Sequence, residues 1–568
     1  MGFKILGINV GHDSGATYID DKGNISAINE ERLSRKKMHH GFPYLAIDEV
    51  LSIQNTTIAQ LTHIAVEGKK ITPQFDVGFD DVSSDWKKNI VNKLNLDGFL
   101  LGTEAGLSIV RLGLKGQVAK MHAEIKKYFT DRGFTGEFEF VDHHECHAAS
   151  AYYTQQYDEG LAITLDASGE GYCAKVYRCK GNMMEEVHRL PCYDSPAYYY
   201  AYVTQILGFK PLRHEGKITG LAAFGDASKC LPVFEKYLAF DASKPGFKNS
   251  GGYHLKAIAK LREELKGQTK EDIAAAVQTH TENITTAYIA EVIKRFNGGK
   301  PTHVFLAGGI FANVKLNQRV LDTAGVKSIY IFPNMGDGGI NFGALLSMGF
   351  RKGLLKERIV FDDVYFGRKY DDVAIEEALK AQGVNYRKTE NIAADVAQLL
   401  QNNKVVARYF SAMEYGPRAL GARTIMYSPA DKSVNTWLNQ RLNRTEFMPF
   451  APFVRDVDAA EYFHLKGDMY PFKFMTVTCN VTDKCKEQAP AIVHVDGTAR
   501  PQVISRDANP TYYDILTEYK KLTGCGVLVN TSYNMHEEPI INTPLEAVKT
   551  YQLGGLDVLA IGNFIVEN

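Results

Sequence analysis

The sequence contains no apolar run near the ~20 residues needed to cross a bilayer, and its N-terminus enters a strand-like segment, Lys4 to Ile8, with no secretory apolar region before it. It therefore reads as a cytoplasmic chain with no membrane partner. It also lacks any Cys-x-x-Cys pair, its eight cysteines (Cys146, Cys173, Cys179, Cys192, Cys230, Cys479, Cys485 and Cys525) being scattered. That scatter disfavours a zinc knuckle and a disulfide framework and leaves reduced, mostly buried thiols as the default. An excess of charge of either sign is missing too: 65 Lys and Arg stand against 66 Asp and Glu, for a net charge of −1. A surface that tracks phosphates needs clustered basic residues, so nucleic acid is not an expected partner.

What is present is an ordinary globular composition over 568 residues. Single cores stop growing near ~250–300 residues, so at least two domains are expected. The first half alternates short β-rich runs with helical stretches, the pattern of an α/β fold. Periodicity predicts helices over 271–296 and 340–350. After a charged stretch from Lys352 to Asp363 the pattern restarts, with helices near 371–383 and 392–402 and a strand over 404–410. We divide the chain into domains at 1–358 and 359–568.

Three glycine-rich turns suggest phosphate handling. Leu6 to Ile19 and Ile163 to Ala174 both read strand, polar turn, strand, the second turn holding Asp166 and Gly169. Paired hairpins of this kind, one per half of a domain, are what actin-like ATPases use to grip nucleotide phosphates. Thr302 to Asn313 adds a buried-looking strand, the pair Gly308 and Gly309, and a helix running to about Leu321, where backbone can approach a ligand at a helix N-terminus.

Two clusters carry further chemistry. His143 and His147, four apart at the start of a predicted helix, share one face and form half of a metal site. Asp166 and Asp337, both in glycine-rich turns, are the carboxylate candidates. Imidazole and carboxylate without thiolate suit iron(II), manganese(II) or zinc(II) and do not choose among them. In the second half, Arg418 and Arg423 stand five apart in a glycine-rich segment, Arg500 lies in another turn, and Asn530 and Ser532 end a strand. Guanidinium forks with amide and hydroxyl donors make a pocket for a small anion.

At these residues the sequence resembles the O-carbamoyltransferase family, NodU/CmcH type, that acts on nodulation factors, cephamycins and aminoglycosides. The matches run the length of the chain: His12 to Ser14, Glu30 to Lys37, Phe42 and Pro43, His143 to His147, Asp166, Glu215 to Leu221, Gly308 and Gly309, Gly416 to Arg423, Pro449 to Pro452, Asp496 to Gln502, and Asn530 to Ser532. The resemblance implies an N-terminal actin-like ATPase (ASKHA) domain, similar to the enzyme that builds threonylcarbamoyladenosine in tRNA, joined to a YrdC-like domain that forms carbamoyl-adenylate. It implies metal ligation by His143, His147 and Asp337 with Asp166 close by, nucleotide contacts at Asp166, Gly169, Lys217, Gly308, Gly309 and Asn313, and carbamoyl phosphate against Arg418, Arg423, Arg500, Asn530 and Ser532. Many relatives have an arginine directly before the Pro449 to Pro452 run, where this chain has Met448. Arg444, four residues upstream, is the candidate to replace that charge.

The expected reaction uses ATP with Mg²⁺ to convert carbamoyl phosphate to carbamoyl-adenylate, with Arg418 central, and then carbamoylates a hydroxyl-bearing small molecule. His12, beside Asp13, is the candidate base, its ordinary pKa of ~6.5 suiting proton transfer near neutrality. A hydrogenase maturation factor built of the same modules would carry Cys-x-x-Cys zinc motifs and an acylphosphatase domain, which this sequence lacks. tRNA modification is disfavoured by the balanced charge, and a non-catalytic scaffold by retention of the His, Asp and Arg constellation. The acceptor leaves no signature, and a homodimer is compatible with the chain.

Overall fold

The computed structural model describes residues 2–70, 96–444 and 447–567. They form two compact units: Met1–Asn24, His40–Phe42 and Thr56–Val360 make the first, and Ile25–His39, Pro43–Asn55 and Phe361–Asn568 the second. A linear division at residue 358 therefore leaves out two N-terminal segments that pack with the C-terminal half. Among the described residues no helix is long and apolar enough to cross a membrane, and all eight cysteines are buried thiols outside any disulfide.

The first unit is built twice on one plan. Lys4–Asn9 and Gly15–Asp20 form an antiparallel hairpin, and His63–Glu67 and then Glu137–Val141 add in parallel beside the first strand. Glu159–Gly169 and Tyr172–Lys180 form the second hairpin, extended by Met183–Pro191 on one side and by the parallel strands Thr302–Ala307 and Val326–Ile331 on the other. The central strands are buried along nearly their whole length, as strands covered by helices must be. A doubled hairpin-plus-parallel-pair sheet is the actin-like ATPase plan expected from the sequence. Two central helices, His143–Tyr152 and Ile340–Arg351, approach so closely that a Cβ on Gly343 would stand 1.8 Å from the Cys146 carbonyl oxygen, so only glycine fits there. The helices expected at 271–296 and 340–350 are found at Lys270–Phe296 and Ile340–Arg351.

The second unit centres on an eight-stranded mixed sheet. Its middle is formed by Val406–Tyr409, Arg423–Tyr427, Val527–Ser532 and Ala451–Arg455, neighbours in that order. The helices Asp372–Ala381 and Ile392–Gln401 match the expected ones. The N-terminal segments are tied in by charged groups: Arg35 donates to the Pro539 and Ile540 carbonyl oxygens at 2.8 and 2.9 Å, and Arg368 pairs with Glu49 at 2.8 Å.

Candidate active site

The helix His143–Tyr152 starts directly after the strand Glu137–Val141, capped by Asp142, whose side chain accepts from the Glu145 amide. The other Asp142 oxygen pairs with buried Lys175 at 2.8 Å. Burial disfavours the Asp142 charge, but Lys175 outweighs it and holds the carboxyl well below the usual range. His143 and His147 leave this anchored turn on one face. His144 turns into the core instead, with Nδ1 2.8 Å from Thr164 Oγ1 and Nε2 3.0 Å from the Tyr172 carbonyl oxygen. A carbonyl only accepts, so Nε2 carries the proton; burial, then His143 and Lys175, push its pKa down to about 3 and keep the ring neutral.

His147 Nε2 lies 3.4 Å from Asp166 Oδ2 and 3.3 Å from Asp337 Oδ1, and His143 Nε2 lies 3.7 Å from the same Asp337 oxygen. One donor atom from each of the four residues falls within 4.8 Å of all the others. Donors bonded to one ion at about 2.0–2.2 Å stand roughly 3–4 Å apart, a range that holds the 3.3, 3.4 and 3.7 Å separations. Among the described residues, His143 Nε2 and both ring nitrogens of His147 are buried and make no well-directed hydrogen bond, as ligand atoms of a metal site would. Burial lowers His143, but Asp337 and Glu67 outweigh it and push it up to about 10. Burial likewise opposes the Asp337 charge, yet His12 and His143 hold it well below the carboxylate range.

Asp337 begins a short helical turn ahead of Ile340–Arg351. A buried amide chain fixes it: Asn9 Nδ2 donates to the Asp337 carbonyl oxygen at 3.1 Å, Asn341 Nδ2 to Asn9 Oδ1 at 3.0 Å, and Thr17 Oγ1 to Asn341 Oδ1 at 2.7 Å. The outer Asp337 oxygen stands 3.0 Å from His12 Nε2, while His12 Nδ1 stands 3.1 Å from Asp13 Oδ2. His12 is the open member of the group, with 34% of its side chain exposed.

Several residues expected on the nucleotide side have local partners. The Gly309 amide donates to Asp166 Oδ2 at 2.7 Å, so this turn secures the carboxylate rather than offering that donor outward. Gly308 takes a φ of 114°, and its amide bonds the Met335 carbonyl oxygen at 2.7 Å. Asn313 caps the helix Val314–Leu321, and its Nδ2 donates to Gln278 at 2.7 Å. Gly169 lies against the His143 ring, and Lys217 is buried with its Nζ 5.9 Å from the centre of the Phe209 ring.

In the second unit, buried and half-buried side chains clamp the turn that carries Arg418. Glu414 accepts from the Leu420 amide at 2.8 Å, Gln502 and Tyr365 donate to the Leu420 carbonyl oxygen at 2.9 and 2.7 Å, and Asn530 donates to that of Ala419 at 3.0 Å. Arg32, from the N-terminal segment, donates to the Gly416 carbonyl oxygen at 2.7 Å. The clamp leaves Pro417 exposed and Arg418 half-buried. Arg423 differs from expectation. It is fully buried, its guanidinium donates to the carbonyl oxygens of Phe410, Ser411 and Ala422, and it lies 3.6 Å over the Tyr409 ring. With these donors committed to the chain itself, Arg423 shapes the turn, as buried Asn530 does. Arg444 donates to Thr531 Oγ1 at 2.8 Å and to the Ser532 carbonyl oxygen at 2.7 Å, which brings it beside Ser532. Arg500 is half-buried, two residues from the clamping Gln502.

Sequence reasoning missed Glu170. Its Oε1 accepts from the Lys69 and Lys70 amides, and burial, then Asp142, push its pKa up to about 8. Its folded pKa is thus raised above the ordinary value, so its contribution to stability is complete below about pH 4.3 and is lost as pH rises through 8. Glu170→Gln, neutral at every pH and still an acceptor for both amides, should melt a few degrees above wild type at pH 9, with the gap closing toward pH 4. Thermal melts across that range check this, and a gap that does not change with pH would refute it.

A family model described as Carbamoyltransferase N-terminus matches residues 4–346, and one described as Carbamoyltransferase C-terminus matches residues 397–568. The chain belongs to the carbamoyltransferase family. Its relatives include Nodulation protein NolNO of Sinorhizobium fredii, 27% identical over 98% of this chain and 79% of that protein. Nodulation protein NolO of Bradyrhizobium diazoefficiens is 30% identical over 75% and 79%, and an uncharacterized protein of Synechocystis sp. is 29% identical over 99% and 96%. Among solved structures, T. kodakarensis HypF superposes with a TM-score of 0.32 at 12% identity, covering 63% of this chain and 49% of that one; so loose a likeness adds nothing further. This carbamoyltransferase, a group-transfer enzyme, carries the His143, His147, Asp166 and Asp337 cluster within the first matched region and the Arg418 turn within the second.

Proposed function

We propose that the protein is an ATP-dependent O-carbamoyltransferase whose second unit makes carbamoyl-adenylate and whose first unit passes the carbamoyl group to a hydroxyl of a small molecule such as a sugar or an antibiotic. The observation that carries this reading is the four-donor cluster with the His12 and Asp13 pair at its open edge, in a chain of this family.

Carbamate is a poor acyl donor, because nitrogen deactivates its carbonyl and its oxygen leaves badly, so transfer to an alcohol needs activation. Water attacks the phosphorus of carbamoyl phosphate, the bond between phosphorus and the carbamate oxygen breaks, and inorganic phosphate leaves carbamate behind. Attack of its oxygen on the α-phosphorus of ATP, bound with Mg²⁺, then displaces pyrophosphate, and one phosphate and one pyrophosphate leave per adenylate formed. Arg418 answers the phosphate charge, supported by Arg500, Arg444 and Ser532.

In the first unit, Lys217 and the Gly308 turn serve the nucleotide side. His143, His147, Asp166 and Asp337 would hold a divalent cation, iron(II) before manganese(II) or zinc(II), which supplies positive charge beside the carbonyl or phosphate oxygens. The acceptor oxygen attacks the carbamoyl carbon, the bond to the AMP oxygen breaks, and the hydroxyl proton passes to His12 Nε2, which Asp337 would release on binding the cation while Asp13 orients the ring through Nδ1. His12→Asn should lower carbamoyl transfer about 10²-fold or more while pyrophosphate release continues. Undiminished transfer in this variant would remove His12 from the mechanism.

A further inference from the structure

Glu67 ends the strand His63–Glu67 and pairs in parallel register with Val141, the last residue of the strand that leads into the histidine helix. Two strands ending side by side bring Glu67 next to His143 although 76 residues separate them. Glu67 Oε1 stands 3.1 Å from His143 Nδ1, and both side chains are buried, 7% and 6% exposed. A carboxylate at Nδ1 requires that nitrogen to carry the proton, which leaves Nε2 as the lone-pair donor. Nε2 is the atom that faces Asp337 and has no hydrogen-bond partner. The ring is held from a second side as well, since a Cβ on Gly169 would stand 2.1 Å from His143 Cδ2.

We propose that Glu67 is the positioning residue of the metal centre: by accepting the Nδ1 proton of His143 it fixes the tautomer and the ring plane that aim Nε2 at the cation, with Gly169 closing the other side of the slot. The inference rests on the four-donor cluster being a metal centre. Such partners orient imidazole ligands and raise their basicity, and their loss typically weakens metal affinity 10- to 100-fold. Among the described residues His147 Nδ1 has no such carboxylate partner, so this orienting contact belongs to His143.

The test loads the full-length protein with cobalt(II), whose visible bands report donor geometry, and measures affinity by competition with a chelator. Glu67→Ala should bind about 10- to 100-fold more weakly with altered bands, and Glu67→Gln, whose amide oxygen still accepts the Nδ1 proton, should recover most of the affinity. Gly169→Ala, which drives a methyl into the ring, should weaken binding without touching Glu67, and keeps the test open if Glu67→Ala does not fold. Wild-type affinity and bands in both Glu67→Ala and Gly169→Ala would overturn the positioning role while leaving the metal centre standing. Wild-type protein that takes up no cobalt(II) would overturn the metal centre, and this inference with it.

Discussion

Asp337→Asn is expected to leave the protein folded, to abolish divalent-metal binding and to lower carbamoyl transfer by about 10³-fold or more. Asp337 is the group on which the site converges: one oxygen faces His143 and His147, and the other faces His12. Asn keeps the volume but loses the charge, and its amide nitrogen repels a cation. The buried amide chain through Asn9 and Asn341 bonds the Asp337 backbone and survives the change. Metal content after dialysis, melting temperature and transfer rate measured together check this. Release of pyrophosphate should persist, since the clamped Arg418 turn belongs to the other unit, and metal retained at wild-type affinity would contradict the ligand assignment.

Arg418→Ala is expected to lower carbamoyl-phosphate-dependent pyrophosphate release about 10²- to 10³-fold, with a melting temperature close to wild type. Five side chains, Glu414, Gln502, Tyr365, Asn530 and Arg32, hold the surrounding backbone, and none of these bonds uses the Arg418 side chain. Arg423→Ala should behave oppositely. It removes the buried guanidinium from the Phe410, Ser411 and Ala422 carbonyl oxygens and from the Tyr409 ring, so it should lower the melting temperature first. Melts and pyrophosphate assays on both variants separate the roles, and an Arg418→Ala enzyme with undiminished release would remove Arg418 from the activation step.

That His143, His147, Asp166 and Asp337 lie together was legible because its signals are local: two histidines on one helical face, and two aspartates in glycine-rich turns. The doubled hairpins were legible for the same reason. Glu67, Asn9 and Asn341 left no such mark, because a glutamate at a strand end or an asparagine in a buried helix gains its role only when distant elements meet. Arg423 and Asn530 were expected to hold an anion because their residue types suit one. Only the folded chain shows that carbonyl oxygens and neighbouring amides occupy them first. The same limit hid the affiliation of Ile25–His39 and Pro43–Asn55, since chain order does not reveal that Arg32 and Arg35 find their partners some 380 to 500 residues later.

The most direct test of two-step carbamoyl transfer is to incubate full-length protein with ATP and Mg²⁺, with and without carbamoyl phosphate, and to count phosphate, pyrophosphate and AMP-linked product. The account predicts that pyrophosphate appears only with carbamoyl phosphate, in equal number with inorganic phosphate, and disappears in Arg418→Ala. Pyrophosphate formed equally without carbamoyl phosphate, or no pyrophosphate from folded, metal-loaded protein, would contradict it.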